Sequence, residues 1–229
     1  MEKFKGSRSN QVEICGAAFR PLPMILNRQY IKILEDLGVP IEVFEQLQSA
    51  AVQQLRTMTS STINASILMS ESPTSKTAQL PTLLEHLSDL GLEYQTDQFL
   101  RDVIEMVVIT KLRDMKHRGR IPVKNGVTLY GIMDETGFLE EGQIYVVVEK
   151  PPQGGKQVLT GGRVVITRSP ALHPGDVRIV QAVDVPEDSP LGKLRNCVVF
   201  SQHGSRDLPS QLSGETLMET CTTSSSNLD

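Results

Sequence analysis

The hydrophobic spacing of this chain changes period near residue 120, and that change limits the folds open to it. Upstream, apolar residues recur every three or four positions, as in amphipathic helices; downstream they fall in short β-branched runs punctuated by Gly and Pro. "NRQYIKILEDLG" offers Asn27 as an N-cap, spaces Tyr30, Ile31, Leu34 and Leu37 along one face and stops at Gly38. "PIEVFEQLQSAAVQQLRTM" opens on Pro40 and carries Val43, Phe44, Leu47, Ala51, Leu55 and Met58 at helical spacing, and is expected to continue through Ile67. "ESPTSKTAQLP" reads as a loop and "PTLLEHLSDLG" as a helix from Pro81 to Gly91. "DQFLRDVIEMVVITKLRDMKHRGR" reads as the longest helix, aligning Ile104, Val107, Val108, Leu112 and Met115. Beyond Ile121, strands are expected in "VTLYGIM", "QIYVVVE", "RVVITR", "VRIVQAV" and "CVVFS". Strands that follow one another without helices between them point to an α+β chain whose second half is a compact barrel or sandwich.

A formal net charge of −4 argues against binding nucleic acid by bulk charge, so any such contact needs a local basic patch. Aromatics make up 4% and Trp is absent, so stacking platforms for single strands are scarce. Cys15, Cys197 and Cys221 are widely spaced and odd in number, which fits neither a disulfide framework nor a paired zinc site and points to a reducing compartment. No apolar run approaches the roughly 20 residues of a spanning helix, and "MEKFKGSRSN" lacks the apolar stretch of a signal peptide. A soluble protein of nucleus or cytoplasm, without membrane contact, is expected. The tail "GETLMETCTTSSSNLD" is rich in Ser and Thr without periodicity, so disorder is expected there.

Three places carry residues suited to chemistry. Lys111, Arg113, Lys116, His117, Arg118 and Arg120 form the strongest positive patch, at the end of the long helix; they suit a phosphate backbone, but cations at a helix C-terminus also meet the macrodipole favourably. Asp134 and Glu135 in "MDETG" have the composition of a metal or acid–base pair, although acids beside Thr and Gly more often cap a turn. In "HPGD", Pro174 and Gly175 define a tight turn, Asp176 is placed to accept turn amides, and His173 stands at its lip. "GGKQVLTGG", with Lys156, lacks the phosphate-loop pattern and lies between strands.

Taken in order, "LNRQYIKILEDLGVPIEVFEQLQ", "YGIMDETGFLEEGQIYV", "VVITRSPALHPGDVRIVQAVDVP" and "NCVVFSQHGSRDLPSQLSG" resemble the cellular RNA-dependent RNA polymerases of eukaryotic RNA silencing, over about Val12 to Gly214. The resemblance implies a two-barrel polymerase in which residues 1–26 are a remnant of the upstream barrel. Residues 27–120 would be a helical connector, 121–214 a double-psi β-barrel-like domain, incomplete, and 215–229 a disordered tail. It implies template-directed RNA synthesis that makes double-stranded RNA, with RNA template and nucleoside triphosphates as partners. Arg168, His173, Arg178, Lys116, Arg118 and Arg120 would then lie toward RNA or nucleotide. The family holds Mg²⁺ on the three aspartates of a GDLDGD loop; here the chain reads "ETLMET", with Thr216, Met218 and Thr220 at those places. Magnesium requires hard oxygen ligands, so no metal site and no catalytic residue is expected in this chain, which by itself should be inactive. The divergence after Gly214 reads as a shifted frame or retained intron. Apolar helix faces left uncovered predict self-association. Two readings outside catalysis stand beside this one: a non-catalytic RNA-binding module and a protein-interaction barrel.

Overall fold

The computed structural model describes residues 21–150, 155–212 and 219–224. Helix α1, Arg28–Asp36, begins where the Asn27 side chain accepts the Tyr30 amide at 2.8 Å. Helix α2, Ile41–Met58, follows Pro40. It does not run on through Ile67 as its spacing predicted. The Thr59 hydroxyl donates back to the Leu55 carbonyl at 3.2 Å and that of Ser60 to the Thr57 carbonyl at 2.7 Å. Ser61 then caps a new helix, α3, Thr62–Ser70. Local hydroxyls compete here with the helical ladder, and tertiary contact settles the outcome: the Tyr94 hydroxyl takes the Thr59 carbonyl at 2.8 Å, and the buried Thr62 hydroxyl accepts the Tyr94 amide at 2.9 Å.

The stretch expected to be a loop contains a short helix, α4, Pro73–Thr77, capped by Ser72. Helix α5, Leu80–Asp89, carries Pro81 in its first turn, as expected. Helix α6, Gln98–Arg118, starts where Asp97 accepts the Leu100 amide at 2.9 Å and ends on Gly119 in the left-handed region, φ 62°. Its inward residues Leu100 and Ile104 pack with Ala65, Met69, Leu84 and Tyr94, and Met115 packs with Ala51, Leu55 and Leu68.

The strands are β1 Leu22–Ile25, β2 Pro122–Met133, β3 Gln143–Lys150, β4 Gly155–Leu159, β5 Gly162–Arg168, β6 Val177–Ala182, β7 Cys197–Phe200 and β8 Glu219–Ser224. They make one mixed sheet in the order β1-β2-β7-β3-β6-β5-β8, with β4 added beside β3. The β2–β7 and β3–β6 pairs are parallel and the others antiparallel. Strand β8 hydrogen-bonds to both β5 and β2, so the pairing path returns to β2. The α+β content follows the sequence expectation. Residues 219–224, expected to be disordered, instead form β8; 215–218 and 225–229 lie outside the described residues, as do 1–20. Of the segment 1–26 the described part contributes β1, which pairs with β2. Gly126 admits it: a Cβ at that position would stand 2.5 Å from the Met24 sulfur, closer than side chains approach.

One face of the sheet buries Leu129, Ile144, Val146, Val164, Ile166, Val180, Val198 and Phe200, closed by Leu208 and Leu212 from around the short helix α7, Leu208–Gln211. Period-two alternation sends Tyr145, Val147, Cys197 and Val199 to a second cluster with Leu139 and Leu191. A third cluster ties the helices to the strands: Met24, Leu26, Tyr30, Ile33, Phe44, Ile121 and Ala171.

Candidate nucleic-acid interface

Between β5 and β6 the chain folds on the "HPGD" turn. The Asp176 carboxylate, 7% exposed, accepts the Leu172 amide at 2.8 Å and the His173 amide at 2.9 Å through Oδ2. Its carbonyl accepts the Thr167 hydroxyl at 3.0 Å. His173 Nδ1 accepts the Gly175 amide at 3.0 Å, closing a capping box around Pro174–Asp176. That bond occupies Nδ1 and leaves Nε2 as the nitrogen of this exposed ring that can meet a ligand. Ala171, buried against Tyr30, Ile33, Phe44 and Ile121, anchors the loop to the helical layer.

Register puts two arginines at this end of the sheet. Arg178 is the partner of Ile166, and Arg168 lies two residues beyond Ile166 on β5. By alternation both continue the row of Val164, Ile166 and Val180, Arg168 half-buried and Arg178 exposed. On its other side Arg168 pairs with position 220 of β8. Two guanidiniums and position 220 therefore share one end of the sheet, which is what a site for phosphate oxygens requires.

The basic run at the end of α6 is only partly available. Lys111 Nζ lies 2.6 Å from Glu71, and Arg118 Nη1 3.3 Å from Asp114. Lys116 and Arg120 are exposed, and the left-handed Gly119 turns the chain between Arg118 and Arg120. His117 and Arg118 line a cavity of about 350 Å³ with Asn27, Arg28 and Gln29. Arg28 joins the cationic group here, and no signal in the sequence pointed to it. Ile121 and Ala171 pack in one cluster, so the α6 terminus and the His173 turn are anchored to the same apolar patch.

The "MDETG" acids do not form a reactive pair. Asp134 is 0% exposed, and its carboxylate accepts the Thr136 amide at 2.8 Å, the Thr136 hydroxyl at 2.6 Å and the Leu139 amide at 2.8 Å. Burial pushes its carboxyl up, but these bonds and the Gly137 amide outweigh that and hold it below the ordinary range. The Asp134 amide is tied to the Phe200 carbonyl at 2.8 Å, and Ser201 Oγ donates to the Leu139 carbonyl at 2.7 Å. The Asp134 carboxylate is thus taken up by its own turn, while Glu135 is exposed.

A protein-family model described as RNA dependent RNA polymerase matches residues 1–217. The chain belongs to this family. It is 35% identical over 198 residues to "Probable RNA-dependent RNA polymerase 1" of Oryza sativa subsp. japonica, covering 85% of this chain and 26% of that protein. It is 33% identical over 218 residues to "RNA-dependent RNA polymerase 1" of Arabidopsis thaliana, covering 95% of this chain and 19% of that protein. Among solved structures, "RNA dependent RNA polymerase QDE-1 from Thielavia terrestris" superposes with a TM-score of 0.66 at 18% identity, over 90% of this chain and 25% of that one. The likeness is one of fold. The chain thus spans about a quarter or less of the length of these polymerases.

At the three places where the resemblance sets metal-holding aspartates the sequence has Thr216, Met218 and Thr220, which are not carboxylates. Among the described residues no three His, Cys, Asp or Glu side chains gather into a metal-holding group. No described helix is long and apolar enough to cross a membrane.

Proposed function

We propose that this chain is the helical connector and double-psi β-barrel part of an RNA-dependent RNA polymerase and that, as it stands, it binds RNA without extending it. Residues 27–120 are the connector and 121–214 the barrel, whose strand path is joined by β8 just beyond it, with the RNA or nucleotide side marked by Arg168, His173, Arg178, Lys116, Arg118 and Arg120. The observation that carries this reading is the return of the strand path through β8 to β2, with Arg168 and Arg178 on one row at the end where position 220 stands. Six strands in mixed pairing with two parallel neighbours suit a double-psi barrel, and the exposed cations at one end suit a phosphodiester backbone. In the whole polymerase this part would take an RNA template and nucleoside triphosphates. The chain's own residues would position and neutralise phosphates, without a metal of their own to activate a 3′-hydroxyl.

Salt-titrated binding of single-stranded RNA, run beside primer extension in Mg²⁺, tests this. Binding should weaken steeply with salt, and each of Arg168→Ala and Arg178→Ala should lower the slope of log K against log salt by about 1. Binding absent at low ionic strength sinks the RNA reading, and any extension product sinks the non-catalytic one. A protein-interaction role is the second reading, favoured by the solvent-facing Phe99, 65% exposed, and Met106, 67% exposed, on α6. A strictly monomeric sedimentation profile at high concentration would remove it.

A further inference from the structure

The two ends of the helical half meet at one joint. The Leu26 amide donates to the Ile121 carbonyl at 2.9 Å, and both residues share an apolar cluster with Tyr30 and Ile33. Gly119 makes the approach close: a Cβ there would stand 3.2 Å from the Arg28 backbone nitrogen and 3.2 Å from Ile31 Cδ1, and its φ of 62° disfavours any side chain. The first turn of α1 is thus pressed against the last turn of α6. The cavity of about 350 Å³ opens where they meet, lined by Asn27, Arg28, Gln29, His117 and Arg118. The positive end of the α1 dipole and the negative end of the α6 dipole offset one another there, so the side chains set its sign. Arg118 gives one guanidinium nitrogen to Asp114 and keeps the others. The Arg28 and His117 side chains have no ion-pair or hydrogen-bond partner among the described residues. The imidazole offers an N–H in either charge state. Asn27 Oδ1 is occupied by the Tyr30 amide, which leaves its Nδ2 as a further donor.

From this joint we infer that the cavity between the start of α1 and the end of α6 binds a phosphomonoester, held by Arg28, His117 and Arg118. A phosphomonoester presents three terminal oxygens and close to two negative charges at neutral pH, which two guanidiniums and an imidazole on one cavity can meet. An internal phosphodiester carries a single charge and continues in both directions, which suits an open track of cations rather than a cavity. The volume is larger than a bare phosphate ion needs and suits a nucleotide-sized group, whose polar edges the Asn27 and Gln29 amides would meet. Two sources carry this chemistry, a free nucleoside 5′-monophosphate and the 5′ end of an RNA. The inference rests on the RNA reading only in taking Arg118 as phosphate-facing, and adds to it a preference for an end.

The test uses the full chain and a short single-stranded RNA, labelled with fluorescein at its 3′ end and made with either a 5′-hydroxyl or a 5′-monophosphate. Fluorescence anisotropy at one salt concentration should show the phosphorylated RNA binding about tenfold tighter. In a separate arm, isothermal titration calorimetry should show adenosine 5′-monophosphate binding about tenfold tighter than adenosine. A gain with RNA assigns the site to an RNA end, and a gain with the mononucleotide alone assigns it to a free nucleotide. Arg28→Ala should bring either ratio to about one. Arg178→Ala removes a cation that does not line the cavity; it should weaken both RNAs and leave their ratio unchanged. Gly119→Ala removes no charge but obliges α1 to give way at Arg28, and should also bring the ratio toward one. Should that variant lose its fold by circular dichroism, Arg28→Ala, at an exposed position, still decides the matter. Equal affinities in both arms overturn the inference and leave RNA binding standing. A phosphate gain that survives Arg28→Ala, or that Arg178→Ala abolishes as well, belongs to bulk charge and overturns it too. RNA binding absent at low ionic strength, with the mononucleotide preference intact, sinks the RNA reading and supports the cavity.

Discussion

Two turns built on aspartates do opposite jobs in this molecule. The Asp134 turn is folded inward: its carboxylate is fully buried and saturated by Thr136 and Leu139, and Phe200 and Ser201 hold the backbone from the neighbouring strand. The Asp176 turn is fixed at one end only. Asp176 collects the Leu172 and His173 amides, while Leu172, 70% exposed, and His173 project from it. Both sequences advertise an acid near a glycine, yet the first acid is enclosed by its turn and the second leaves Leu172 and His173 exposed. The comparison teaches that a carboxylate's role follows from how many donors surround it and from what its turn leaves outside.

Asp134→Ala should be the most damaging of the substitutions that separate the turns. It strands buried donors on Thr136 and Leu139 and should lower stability by about 3 kcal/mol in urea unfolding. A loss under about 1 kcal/mol would mean water replaces the carboxylate and the turn is not inward at all. Asp176→Ala removes two amide partners at a site close to solvent on one side, and about 2 kcal/mol is expected by the same measurement. If it equals or exceeds Asp134→Ala, the contrast between the turns fails. His173→Ala gives up one turn bond at an exposed position, for about 0.5 kcal/mol. It should instead reduce RNA affinity, and a Tm fall with unchanged affinity would reassign His173 to the fold.

The effect with least amplitude at neutral pH is acid sensitivity. The native state holds the Asp134 carboxyl below its ordinary value, about 3.9 in an unfolded chain, so the folded protein favours the ionised form. Stability from this source is present above about pH 4 and is lost as pH falls through the lowered native value. In Asp134→Asn the acid limb of a Tm–pH profile should flatten below pH 4 and match at pH 7 after subtraction of a constant offset. A parallel limb would assign the acid response to other carboxylates, such as Asp207, which is also held low, its burial outweighed by the Ser210 hydroxyl and amide.

Much of the helical half was legible because its ends are written in single residues. Asn27, Asp97 and Gly119 cap or stop helices through bonds that reach only a few positions along the chain. The break at Thr59–Ser61 was not legible, because the group that draws off the Thr59 carbonyl is Tyr94, far along the sequence. Of the candidate site, the turn chemistry of Asp134 and Asp176 could be read from "DETG" and "HPGD". The addition of Arg28 to the α6 cations required α1 to come beside the end of α6, whereas the Arg118–Asp114 pair is four residues apart on one helix and was open to a sequence reading.

By itself the sequence determined the change from helices to strands at residue 120 and the five apolar strands β2, β3, β5, β6 and β7. Periodicity and side-chain chemistry are local, so they survive without a fold. Tertiary structure decided the rest. It added β1, admitted against Gly126, and β4 beside β3. It also drew 219–224 into a strand that no alternation announced. A threonine- and serine-rich segment becomes a strand when two neighbours offer it backbone partners, and those partners lie about fifty to a hundred residues away in sequence, beyond what a local pattern can record.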